Sequence, residues 1–167
     1  PARSLPGDRG GAWPMKVRVR LGYTTRADVV LDAAFDGTRA IVSGAAGLPL
    51  PDYVWPNDDD QGYGLFLPDD RTIAWIVGHV GTVKDPLLRA MLWSAVWDTV
   101  RDVRFSPARY IAMLLEHLPG ETDEQISRTI LSRGAAALDV YLPDDISAPL
   151  RPRWEQALLA RIDDTRL

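Results

Sequence analysis

Hydrophobic and polar positions alternate without error over residues 15–23. Met15, Val17, Val19, Leu21 and Tyr23 fall on one side and Lys16, Arg18 and Arg20 on the other, the period of two that marks a half-buried strand. A second alternation puts Val29, Leu31, Ala33 and Phe35 on one face. Asp36-Gly37 then supplies the chemistry of a tight hairpin, and residues 38–43 are predicted to return as a strand. After the breaks at Pro49 and Pro51, residues 53–55 and 64–67 read as two further short strands around an acidic turn, Asn57 to Gly62. Residues 1–68 are therefore expected to form a small antiparallel β domain, a sandwich of short strands.

From residue 69 the spacing lengthens to three and four, and the breaks between segments look like helix caps. Asp69 or Asp70 opens a helix to about Val80, closed by Gly81. Asp85 with Pro86 at the first helical position opens a longer one to about Val103, with Leu88, Met91, Leu92, Ala95 and Val100 as its buried stripe. Ser106-Pro107 repeats the signature, and Ile111, Leu114, Leu115 and Leu118 follow until Pro119-Gly120. Thr122 with Gln125 forms a capping box for a helix carrying Ile126, Ile130, Leu138 and Tyr141 up to Pro143. A last helix is predicted from near Pro152 through Trp154, Ala157, Leu158 and Ile162. Short links between successive helices imply antiparallel neighbours, so residues 69–167 are expected to form an antiparallel α-helical array, either a bundle or a solenoid. The fold class is α+β.

Composition narrows the function classes. With 19 basic against 23 acidic residues, a net charge of −4 offers no electrostatic footprint for nucleic acid. There is no cysteine, which excludes disulfides, thiolate metal sites and a cysteine nucleophile. No stretch reaches the roughly 18–20 apolar residues of a membrane-spanning helix, and no signal-peptide layout opens the chain. Neither nucleic acid nor membrane is expected as a partner, and a cytoplasmic location is. A start at Pro1 and an end within a helical pattern suggest a piece of a longer protein.

The chemistry-bearing residues are sparse. His79 and His117 lie on different predicted helices and neither belongs to the H-E-x-x-H pattern that sets two imidazoles on one helix face for zinc. A histidine near a helix C-terminus is favoured there by the helix dipole. The run Asn57-Asp58-Asp59-Asp60-Gln61-Gly62 invites comparison with a calcium loop, but the twelfth position, which needs a bidentate Glu, is Pro68. A turn in which Asn and Asp side chains bond nearby amides is the better reading. Gly44-Ala-Ala-Gly47 lacks the lysine of a phosphate loop, and Gly134 inside a helix suggests close helix packing. Trp75, Trp93 and Trp97 could line a groove for a peptide or sugar, but apolar helix faces make them core residues. No catalytic, cofactor-binding or metal-ligating residue is nominated.

An ordered series of motifs carries a resemblance. Pro56-Asn-Asp-Asp-Asp-Gln-Gly-Tyr-Gly-Leu-Phe66 resembles the segment that ends the small β-domain of the aminopeptidase N family of zinc metallopeptidases, the gluzincins, in their bacterial form. The stretch Arg89-Ala-Met-Leu-Trp-Ser-Ala-Val-Trp-Asp-Thr-Val-Arg-Asp102 resembles their following helix. Ala108-Arg-Tyr-Ile111, Gly120-Glu-Thr-Asp123 and Ala137-Leu-Asp-Val-Tyr141 continue the series in order, so that it spans residues 13–145. The resemblance implies the small β-sandwich and the beginning of the C-terminal helical domain. Its partners would be the catalytic domain of the same polypeptide and, through the parent, peptide substrates trimmed from their N-termini. Zinc is implied for the parent alone, because the family's H-E-x-x-H and G-x-M-E-N motifs do not occur in these 167 residues. By itself this region is expected to be catalytically inert, bridging to the catalytic domain and walling the substrate cavity.

A free-standing adaptor with a helical protein-binding surface is the alternative from another class. A binding module that uses the three tryptophans would need them exposed. An independent hydrolase lacks any nameable nucleophile and base.

Overall fold

A computed structural model of the chain describes residues 14–35 and 39–162. Its architecture is α+β: an antiparallel three-stranded sheet followed by a run of helices. The chain divides into two compact units between Trp75 and Ile76, a boundary that falls inside the first helix.

In the first unit, β1 (Met15–Gly22) is the central strand, flanked by β2 (Val29–Phe35) and β3 (Tyr53–Trp55) in the order β2-β1-β3, both antiparallel to it. Val17, Val19, Leu21, Tyr23 and Ala33 form the core, as the alternation requires. The register sets Gly22 opposite Tyr53. A Cβ at Gly22 would stand 1.8 Å from Cε1 of that ring, so only glycine lets the phenol lie across the strand.

Among the described residues two of the predicted strands do not form. Residues 36–38, with the Asp36-Gly37 turn, lie outside the described residues, but residues 39–42 pair with nothing and Ser43–Ala45 is a 3-10 turn. Val42, Ala45 and Leu48, like Leu31 and Phe35 of β2, pack against the core of Val17, Val19, Leu21, Tyr23 and Ala33, so this segment adds to the sheet's apolar face instead of extending its edge. Residues 64–67 are likewise irregular. The outer edge of β3 is already used, because the Val54 amide donates to Thr72 Oγ1 at 3.0 Å, and Phe66 turns inward on the core while Leu65 stays exposed.

The helices are α1 (Asp70–His79), α2 (Pro86–Arg101), α3 (Pro107–His117), α4 (Glu124–Ala136), α5 (Asp144–Ser147) and α6 (Arg151–Ile162). The caps at Asp69, Asp85 and Ser106 accept from backbone amides of the first turns as predicted. The cap of α4 is Asp123, not Thr122: its carboxylate accepts from the Ile126 amide at 3.0 Å. A capping box satisfies the cap residue's own amide from three positions downstream. Here Glu121 does that from behind, accepting from the Asp123 amide at 2.9 Å.

Helix α2 stops two residues short of the expected end, at Arg101, and Val103 takes a left-handed φ of 59°. A π-helical turn, Ala137–Tyr141, completes α4. The second unit buries Leu88, Leu92, Ile111, Leu114, Leu118, Ile130 and Leu138 of the predicted stripes almost completely, and Val96 besides; of the predicted positions Leu115 is half-buried and Tyr141 is exposed.

Candidate functional site

The acidic run is a structured turn. Asn57 Oδ1 accepts from the Gly62 amide at 2.8 Å and Asn57 Nδ2 donates to Asp60 Oδ1 and to the Gly62 carbonyl, both at 3.2 Å. Two of its three carboxylates, Asp58 and Asp59, are committed to the polar face of β1. Arg18 pairs with Asp59, and Arg20 pairs with Asp58, which is almost fully buried. Arg20 Nη1 also donates to Asp28 at 3.0 Å, where the Tyr53 hydroxyl donates at the same distance. Burial opposes the charge on Arg20, but its hydrogen bonds to Asp58 and Asp28 outweigh it and hold the guanidinium above its ordinary value. Burial, then the Asp28 charge, raise the Tyr53 phenol. Periodicity could place Arg18 and Arg20 on one face but could not say that residues 58 and 59 would meet them.

Trp93 and Trp97 are buried, packing on Tyr110 with ring centroids at 6.0 and 5.3 Å. Trp75 is only partly buried: it stacks on Tyr53 at 4.0 Å and its indole donates to Thr24 Oγ1 at 3.0 Å. Gly134 lies against Trp154, the close helix packing expected of it.

A set of polar groups gathered around a cavity in the second unit was not singled out by sequence. A cleft of ≈ 170 Å³ lies between the 81–84 link, the start of α2 and the 120–122 link. Arg89 and Trp93 project from α2, and His117 ends α3. Arg89 grips Glu121 with two parallel bonds, Nε to Oε2 at 2.8 Å and Nη2 to Oε1 at 2.9 Å, and Nη1 donates to the Val83 carbonyl at 2.6 Å. Both side chains are nearly buried, 12% and 5% exposed. His117 Nε2 lies 2.8 Å from the Val77 carbonyl, and its ring meets Trp93 edge-on at 6.3 Å. A carbonyl can only accept, so Nε2 carries the hydrogen and Nδ1 is the ring nitrogen left for other contacts. His79 ends α1 and is not part of this cleft.

The donors do not fit a zinc site. Among the described residues no three His, Asp or Glu side chains are grouped to hold a metal ion. Asp58 and Glu121 are each taken by an arginine, and His117 Nε2 by a carbonyl. Among the described residues no helix is long and apolar enough to cross a membrane.

The described residues form a small antiparallel sheet leading into a capped helical array, with no metal-ligating cluster among them. Residues 53–165 match the family model described as "ERAP1-like C-terminal domain", and the chain belongs to that family. It is also 30% identical over 142 residues to the aminopeptidase N of Streptomyces lividans, a match that covers 84% of this chain and 16% of that protein. The resemblance to the C-terminal region of aminopeptidase N family enzymes, carried by the ordered motifs from Pro56 to Tyr141, is thereby borne out. The chain spans about one sixth of that relative's length.

Proposed function

We propose that this chain is a non-catalytic region of a bacterial, cytoplasmic zinc aminopeptidase that removes N-terminal residues from peptides. In this reading the β unit, residues 1–68, bridges to the catalytic domain of the same polypeptide, and the helical array, residues 69–167, walls the substrate cavity. The observation that carries it is the family match over residues 53–165; among the described residues no group of His, Asp or Glu could hold a metal ion. Zinc in such enzymes polarises a bound water toward a pKa near 7. That chemistry would be supplied by the catalytic domain, with this chain contributing packing and shape.

The purified chain, incubated with zinc and aminoacyl fluorogenic substrates, should give no turnover. Turnover that survives repurification would overturn the inert assignment. The encoding reading frame should hold H-E-x-x-H in the same polypeptide, and a frame without it would favour the free-standing adaptor.

A further inference from the structure

The cleft beside His117 carries more polar chemistry than its own packing uses. Arg89 and Glu121 neutralise each other, and their bonds to Val83 and Asp123 hold both in place. Lys84, exposed at the rim, forms no ion pair with any described residue. The charge left over is therefore one cation. His117 spends Nε2 on the Val77 carbonyl, which leaves Nδ1 on the side of Gly81. A Cβ added to Gly81 would stand 2.9 Å from Nδ1, with Cγ and Cβ of the same side chain next nearest. Any side chain at position 81 would crowd that nitrogen.

We propose that this cleft binds a small oxyanion, a phosphate or a carboxylate, between the Lys84 ammonium and the Nδ1–H of a protonated His117. The charged groups that line the cleft are Lys84 from the 81–84 link, Arg89 from α2 and Glu121 from the 120–122 link; Asp85 at the start of α2 and Glu116 beside His117 lie outside the lining. Glu121 would repel an anion, but its bidentate arginine cancels that charge at contact distance. An anion seated there would pair with the Lys84 ammonium and accept a charge-assisted hydrogen bond from Nδ1–H. The space, ≈ 170 Å³, exceeds the roughly 10–15 Å³ of such volume that a single water needs. It accommodates an oxyanion together with bridging water. Neither the turnover of a parent enzyme nor its zinc enters this inference, so the two stand or fall separately.

The test is a titration of the whole chain with sodium phosphate and, separately, sodium acetate, at fixed ionic strength set with sodium chloride. It is read on the imidazole nitrogens by NMR, where only two histidines contribute. A saturable shift at His117 with little at His79, and a Kd in about the millimolar range, is expected with at least one of the two anions; which one binds decides between phosphate and carboxylate. Lys84→Gln, at an exposed position that leaves folding intact, should weaken the binding about tenfold, and Gly81→Ala should weaken it by filling the approach to Nδ1. No saturable shift with either anion, or unchanged binding in Lys84→Gln, would overturn the proposal.

Discussion

Gly134 of α4 and Trp154 of α6 touch so closely that a single added carbon would overlap the indole: a Cβ at Gly134 would lie 2.5 Å from Cη2 and 2.7 Å from Cζ3, and 2.9 Å from Leu114 Cδ1 on α3. Three helices meet at one hydrogen atom. Trp154 is 6% exposed, so it has no free direction in which to yield.

Gly134→Ala should therefore destabilise the protein, although alanine is the better helix former. Overpacking a dense core costs about 1–3 kcal/mol, while alanine returns about 1 kcal/mol of helix propensity. A net loss of up to about 2 kcal/mol in urea denaturation is expected from these two terms. A gain in stability would mean that the helices do not meet there.

Glu121→Ala leaves the Arg89 guanidinium nearly buried without its partner. Breaking a buried pair from one side costs about 3–5 kcal/mol, and the same denaturation measurement should show it. The double change Arg89→Met with Glu121→Leu should cost less than either single change, since no charge is then left behind. An additive double variant would show that the pair is not coupled.

At Val103 a β-branched residue holds φ = 59° while 92% exposed, closing α2 with the Arg104 and Phe105 amides both donating to the Thr99 carbonyl. The left-handed conformation costs an ordinary residue about 1–2 kcal/mol, against about 0.5–1 kcal/mol for the added freedom of glycine when unfolded. Val103→Gly should raise the midpoint of thermal unfolding, by about 0.5–1 kcal/mol in stability. A lowered midpoint would show that the isopropyl group has a packing role.

Alkali should unfold this protein through two phenols. Burial and the Asp28 charge raise Tyr53, and burial raises Tyr110 against the opposing Arg133 guanidinium, both above the ordinary value of 10.0. An unfolded tyrosine loses its proton near that value while the folded one keeps it, so stability is present below it and is lost as the pH rises beyond it. Tyr53→Phe and Tyr110→Phe should each flatten the loss of stability between neutral and strongly alkaline solution. An unchanged slope in both would remove these groups from the account.

Local signals decided much of this fold before any packing. The alternation of residues 15–23, the pairs Asp85-Pro86 and Ser106-Pro107 and the stripe from Leu88 to Val100 each specify an element through bonds made within a few residues, and those elements form. The ordered motifs from Pro56 to Tyr141 even carried the family. Only the tertiary structure decided the rest. Whether residues 39–43 would extend the sheet's edge or add to its apolar face depended on the core against which Val42, Ala45 and Leu48 pack. Asp123 displaced Thr122 as a cap because Glu121, itself held by Arg89 of another helix, satisfied its amide. Arg20 with Asp58, and Arg89 with Glu121, sit 38 and 32 residues apart. A sequence fixes which groups carry charge, but which of them meet in the interior depends on where the whole chain has already been packed, because a charge is stable there only beside its partner.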